Sequence, residues 1–247
     1  MKKLFAATLA SIFLASPPAL AAQTQVDARA IIKQVETQYT GKASHAVMQM
    51  TVSNPSWTRH MTLEIWSQGR DKFLARILSP KKDAGTGTLK IGNDLWNYLP
   101  SIDRLMKIPP SLLGDRWMGS DLTNDDLVKE YKNDQLYNFA TKAAPHHTVL
   151  ITAYAKLDVP VVWDKIVYLV DTVRKVPLRV QYFDDDGALV RVIDFADFQQ
   201  VDGHWIPMHM KVQPMDQSGE YTEIDYRKID LNPHLAPDFF SLRTLRK

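Results

Sequence analysis

From His45 onward, apolar and polar positions alternate with a period of two, and turn-forming residues interrupt the alternation about every ten positions, the rhythm of an antiparallel meander. Met48, Met50 and Val52 alternate with Gln49 and Thr51. Trp57, Met61, Leu63 and Ile65 share one face of the next run, and Thr58, His60, Thr62 and Glu64 share the other. Gly69-Arg70-Asp71 turns the chain into Phe73, Ala75 and Ile77, whose opposite face holds Lys72 and Arg76. Gly92-Asn93-Asp94 sits between residues 89–91 and 95–98 as a hairpin signal. The second half predicts strands over residues 149–157, 163–171, 176–183, 188–198, 205–213 and 221–229. Asp186-Gly187, Asp202-Gly203 and Ser218-Gly219 join them, dipeptides that accept the positive φ of tight hairpins.

Two stretches have helical spacing instead. Over residues 27–39, Asp27 can cap a helix in which Ala28, Ile31, Ile32, Val35 and Tyr39 form one stripe. Between Pro100 and Tyr131 the alternation weakens, Pro109-Pro110 enforces extended backbone, and Thr123 can cap a short helix over residues 125–131 that presents Leu127, Val128 and Tyr131. This stretch reads as an excursion that covers one end of the sheet.

The pattern predicts a mainly β protein built on a single curved antiparallel sheet. An apolar sheet face has to be hidden by a second sheet, by closure or by helices. Roughly ten strands and only two helical pieces are a poor supply of cover for a wide sheet. A bent sheet with its helices across the open side satisfies the constraint and leaves a hollow. Methionine, flexible and polarisable, is frequent on the apolar face and suits irregular guests such as lipid tails, although Met on a strand is also ordinary core filler. The candidates to line such a hollow are Met48, Met50, Met61, Leu63, Ile65, Phe73, Ile77, Trp96, Tyr98, Met106, Ile108, Trp117 and Met118.

The N-terminus adds a compartment. Lys2-Lys3 precedes an uncharged run from Leu4 to Ala15, followed by Pro17-Pro18 and Ala19-Leu20-Ala21, the pattern of a secretory signal peptide over residues 1–21. The run is shorter than the roughly 20 apolar residues of a membrane span. Residues 22–247 are then expected as one soluble domain in the periplasm. Loss of Lys2 and Lys3 leaves 28 basic against 28 acidic residues. That balance argues against nucleic acid as a partner, since phosphate binding normally shows as a basic surplus. The absence of cysteine excludes disulfides, thiolate metal sites and a cysteine nucleophile.

Leu78-Ser79-Pro80-Lys81, Asp83-Ala84-Gly85-Thr86, 95–100 (Leu-Trp-Asn-Tyr-Leu-Pro), Arg104, Ile108-Pro109-Pro110 and Trp117-Met118-Gly119-Ser120-Asp121-Leu122 followed by Asp125-Asp126-Leu127 resemble the LolA-like family of outer membrane lipoprotein-sorting proteins. Val176-Pro177-Leu178-Arg179 and 201–207 (Val-Asp-Gly-His-Trp-Ile-Pro) are similar too. The resemblance implies a half-barrel around a hydrophobic cavity closed by helices. It implies a carrier of lipid or lipoprotein acyl chains, with no cofactor and no catalysis, that works with an inner-membrane transporter in transfer toward the outer membrane.

Other chemistries have weaker support. Ser120 lacks the Gly-x-Ser-x-Gly elbow of a hydrolase nucleophile and reads as a turn residue. His146-His147, taken as strand residues, point to opposite faces, as do His204 and His209 five apart, so neither pair converges on a metal. Asp184-Asp185-Asp186-Gly187 lacks the ligand spacing of a calcium loop and reads as a hairpin turn. Arg104 and Lys107 flank Met106 in the covering segment, either as a phosphate contact beside the opening or as a solvated face. The alternatives to a carrier are an interaction or sensor module that binds a protein segment in its groove and, behind it, a lipid hydrolase.

Overall fold

The computed structural model describes residues 27–129, 132–157 and 159–247. The leader read over residues 1–21 and the Tyr131 end of the short helix lie outside them. Among the described residues, thirteen strands form one antiparallel sheet that does not close, the single antiparallel sheet expected from the sequence.

The first six strands are β1 (Ala43–Asn54), β2 (Trp57–Gln68), β3 (Lys72–Ser79), β4 (Gly87–Ile91), β5 (Asp94–Leu99) and β6 (Arg104–Lys107). The other seven are β7 (Tyr137–Ala144), β8 (Thr148–Ala155), β9 (Lys165–Asp171), β10 (Val176–Phe183), β11 (Leu189–Val201), β12 (His204–Pro214) and β13 (Tyr221–Asp230). Each half is a meander of consecutive neighbours, and β1 pairs with β13 to join the halves. The two edge strands are therefore β6 and β7, which are consecutive in the chain but at opposite ends of the sheet. The segment that links them must cross from edge to edge.

Strand β7 is a run that periodicity does not reveal. It is an edge strand with most of its side chains exposed, so no apolar alternation marks it. His146 and His147 lie in the β7–β8 turn, both with φ of 57°, and not in a strand as the sequence reading has them.

Among the described residues, four short α-helices accompany the sheet: α1 (Ala28–Thr37), α2 (Asn124–Lys129), α3 (Asn133–Leu136) and α4 (Leu242–Leu245). Asp27 caps α1 by accepting from the Ala30 amide at 3.0 Å, and Ala28, Ile32 and Val35 are buried along its stripe. The helix ends at Thr37, so Tyr39 reaches the core from the following turn. Thr123 caps α2 as expected. Its hydroxyl accepts from the Asp126 amide at 3.2 Å, and the Asp126 carboxylate accepts from the Thr123 amide at 2.7 Å, a reciprocal capping box. No helix among the described residues is long and apolar enough to cross a membrane.

Alternation along each strand separates two apolar clusters. The inner one holds Met48, Met50, Met61, Leu63, Phe73 and Ile77 from the first half and residues such as Ile151, Tyr168, Val180 and Ile193 from the second. The outer one is smaller: Leu74, Leu89 and Tyr98 are covered by Phe240 and Leu245 of the C-terminal segment, with Trp66, Trp96 and Phe239 around them. Gly87 permits this docking, since a Cβ there would stand 2.8 Å from Leu245 Cδ1 and 3.2 Å from the Ala75 carbonyl oxygen. Leu245 is fully buried. Leu245→Ala is expected to lower the free energy of unfolding by about 2–5 kcal/mol, measured by urea denaturation. A change below about 0.5 kcal/mol would mean that the C-terminal segment lies on the sheet without stabilising it.

Candidate functional site

The link between the sheet's edges forms a strap over the inner face. Its centre is residues 117–128, the segment whose sequence carries the Trp-Met-Gly-Ser-Asp-Leu motif. Met118 and Gly119 both take positive φ, 52° and 77°, which folds the strap sharply back over the sheet. Ser120 has no exposed surface. Its hydroxyl donates to the Trp117 carbonyl at 2.7 Å and accepts from the Leu122 amide at 3.2 Å, so it closes the turn and has no path to a substrate.

Polar contacts pin the strap to both halves of the sheet. Trp117 Nε1 donates to Thr88 on β4 at 3.0 Å, and Arg59 on β2 donates to the Met118 carbonyl at 3.2 Å. On the other half, Asp121 accepts from Thr222 on β13 at 2.8 Å, and Asp126 receives Arg191 of β11 in a two-pronged contact of 2.6 and 2.8 Å. The Arg191 guanidinium packs against both Trp163 and Tyr182, 4.6 and 4.1 Å from the centroids of these two mutually contacting rings. The side chains of Arg191 and Asp126 are 4% and 5% exposed, so neither charge has water as an alternative partner. Burial pushes the Asp126 carboxyl up, but the Arg191 charge and hydrogen bonds, with those from Thr123, outweigh it and hold it below the usual carboxylate range. The pair is thus ionised at neutral pH, and its stabilisation is lost only as pH falls through that lowered value. Asp121 goes the other way, since burial raises it more than Thr222 and Arg116 lower it.

A second ionic knot ties down α1. Arg70, from the β2–β3 turn, pairs with Glu36 at 3.2 Å and with Asp134 of α3. Glu36 also accepts from the Asn133 amide at 3.1 Å, and Asn133 Nδ2 donates to the Tyr168 hydroxyl at 3.0 Å. Nearby, Lys90 Nζ donates to the Arg70 carbonyl, and burial together with Lys132 pushes its ammonium down to about 8.

Between α1, the strap and the inner sheet face lies a cavity of about 120 Å³. Its walls are Val35 and Tyr39 from the α1 side, Trp117, Leu122 and Leu127 from the strap, and Met48, Ile65, Phe73, Tyr168, Val180, Ile193, Phe195, Met210, Ile224 and Tyr226 from the sheet. Tyr39 stacks on Tyr226 at 4.8 Å, and its hydroxyl donates to the Pro207 carbonyl at 2.8 Å, which fixes one wall. Glu36 and Asp126, members of the two ionic knots, reach the rim.

Of the sequence candidates, Met48, Ile65, Phe73 and Trp117 line this cavity. Met50, Met61, Leu63 and Ile77 are buried in the same inner cluster without lining it, and Ile108 and Met118 pack against that cluster. Trp96 and Tyr98 belong to the outer cluster. Met106 is half-buried on edge strand β6, opposite Asn97. Lys107 pairs with Asp94 at 2.9 Å and lies over Trp96, while Arg104 is exposed. The sequence reading omits the second-half wall and the buried charges. Arg191 carries its own signal, because it falls two residues before Ile193 and so shares the apolar face of its strand. No group of His, Asp and Glu among the described residues is placed to hold a metal. The Asp184 turn is a hairpin, with the Ala188 amide donating to the Asp184 carboxylate at 2.8 Å.

If Arg191 and Asp126 hold the strap, Asp126→Ala leaves a buried guanidinium uncompensated and is expected to cost about 3–5 kcal/mol. Combining Asp126→Leu with Arg191→Met is expected to restore most of it, as two apolar side chains replace the pair. Denaturant titration of the three proteins checks this, and a double variant as unstable as the single one would refute it.

A family model described as an uncharacterized protein, of DUF1329 type, matches residues 69–247. No curated protein matches the chain by sequence. Among solved structures, a DUF1329 family protein from Desulfovibrio piger aligns with a TM-score of 0.78 and 20% identity, over 88% of this chain and 97% of its own. A domain from Vibrio parahaemolyticus named for outer membrane lipoprotein sorting aligns with a TM-score of 0.74 and 22% identity, over 87% and 97%. A LolA superfamily protein from Nitrosomonas europaea aligns with a TM-score of 0.72 and 18% identity, over 89% and 99%. At such identities the likeness establishes a common fold.

Proposed function

We propose that this chain, which belongs to the DUF1329-type family whose model matches residues 69–247, is a periplasmic carrier that holds a lipid or the acyl chains of a lipoprotein. The observation that carries this reading is the apolar cavity beneath the strap, about 120 Å³ in volume and walled by α1 and the inner sheet face. An interior that only stabilises a fold is packed to near crystal density. Here aliphatic and aromatic walls surround open space, which an acyl chain would fill at a gain of about 0.8 kcal/mol per buried methylene.

Binding and release need no covalent step. Ser120, the one serine that suggested a hydrolase, is enclosed with its hydroxyl committed to the strap's own backbone. The names of the Vibrio and Nitrosomonas structures agree with a sorting role, and the leader pattern of residues 1–21 agrees with export. In this reading the carrier loads from an inner-membrane transporter and delivers toward the outer membrane.

The cavity's own walls supply the test. Protein recovered from the periplasm without detergent is expected to begin near Ala22 and to retain lipid in native mass spectrometry. Ile193→Trp, which fills the space, is expected to weaken uptake of a fluorescent fatty acid by about tenfold or more, at a stability cost of about 1–3 kcal/mol. Wild-type protein that carries no lipid and takes up no fatty acid would refute the carrier reading.

A further inference from the structure

A second space of about 660 Å³ adjoins the apolar cavity at the C-terminal end of α1. Gln38 lines both. The two differ in chemistry. The cavity is walled mainly by hydrocarbon, with Glu36, Gln38 and Asp126 as its polar members, whereas the outer space is lined by Arg174 and Lys175 from the β9–β10 turn and by His204 and Trp205 from the start of β12, with no Asp or Glu among its lining residues. The same strands lead inward, since Pro177, two residues past Lys175 on β10, and Met210, further along β12, are walls of the cavity.

We propose that this outer space receives the anionic headgroup of a lipid whose acyl chain occupies the apolar cavity. The inference rests on the carrier reading and specifies the cargo: an amphiphile with a negatively charged head, a phosphate diester being the simplest case. Arg174 is built for such a contact. Its guanidinium lies over the Trp205 and Phe198 rings, 5.1 and 5.5 Å from their centroids, and this stacking orients the group while its N–H donors stay in the plane of the fork. Asp171, the acid nearest to it, stands 3.9 Å from Nε. The other Asp171 oxygen accepts from the Val173 and Arg174 amides at 2.8 and 2.9 Å, so that carboxylate holds the turn in shape. Lys175, exposed beside it, adds a second permanent cation, and His204 a further donor.

One further observation bears on this boundary. The side-chain oxygen of Gln38, the residue that lines both spaces, is buried with no hydrogen-bond partner among the described residues.

Calorimetric titration of the full-length mature protein with two single-chain lipids of the same acyl chain, lysophosphatidylglycerol and the uncharged monoacylglycerol that lacks the phosphate, tests the idea, with inorganic phosphate as a third probe. Wild-type protein is expected to bind the anionic lysolipid at least about tenfold more tightly, the size of one charge-assisted hydrogen bond. Arg174→Ala with Lys175→Ala is expected to remove that preference and leave the affinity for the monoacylglycerol unchanged. Both residues are exposed turn positions, and urea denaturation of the double variant verifies that it folds as the wild type does. Equal affinities in the wild type, or an anionic preference that survives the double substitution, would overturn the headgroup site and leave the carrier standing. Phosphate bound as tightly as the anionic lysolipid would assign the site to free anions and also overturn it. Failure of the wild type to bind either lipid would remove the carrier reading, and the headgroup site with it.

Discussion

The grip of Arg191 on Asp126 is the contact on which the inner face of this protein depends. An open sheet with one apolar side has to be covered, and here the cover is a strap strung between two edge strands at opposite ends of the sheet. The strap's own hydrogen bonds, such as Trp117 amide to Leu122 carbonyl and Asn124 amide to Asp115 carbonyl, shape it locally, and its position over the sheet is set by what pins it. The pin nearest α2 is a charge pair with almost no access to water, its guanidinium packed against two aromatic rings. Such a pair tolerates few geometries, because any displacement strands two buried charges. The strap is therefore held at a defined height above the sheet, and the space below it has a defined size.

The outer face is solved differently. Phe240 and Leu245 close over Leu74, Leu89 and Tyr98, apolar side chain against apolar side chain. The contrast separates two uses of burial in one sheet. On the outside, apolar side chains meet and fill. On the inside, charges at the rim hold apolar walls apart.

Much of the sheet was legible because alternation is strong wherever one strand face is buried. Residues 176–183 read as a strand and are β10, and the caps at Asp27 and Thr123 are local events that their own side chains announce. Strand β7 was not legible, since an edge strand with solvent along most of its length has no reason to alternate. Trp96 and Tyr98 show the limit of period-two reasoning. The sequence reading lists them with the lining of the hollow, whereas they lie on the face opposite Leu95, and that the C-terminal segment covers this face is a matter of tertiary assembly. The cavity was legible as a need for cover more than as a set of walls. Met48, Ile65, Phe73 and Trp117 came from the half whose motifs were most recognisable, while Val180, Ile193 and Ile224 arrive from strands whose apolar residues look like any core. The buried charges were harder still, because Glu36 and Arg191 sit at apolar register positions where a sequence reading assigns polar residues to the surface.

The seam between β1 and β13 bears on how the chain reaches this state. Strand β1 lies in the middle of the finished sheet, yet one of its two neighbours is the last strand of the chain. Its ladder toward β2 is local in sequence, while its other side presents a row of free amides and carbonyls until β13, some 170 residues further along the chain, joins it. Every incomplete chain thus exposes a long, sticky border at the centre of its future fold. A protein of this topology needs its nascent form shielded, or its own C-terminus delivered promptly, whatever it holds once complete.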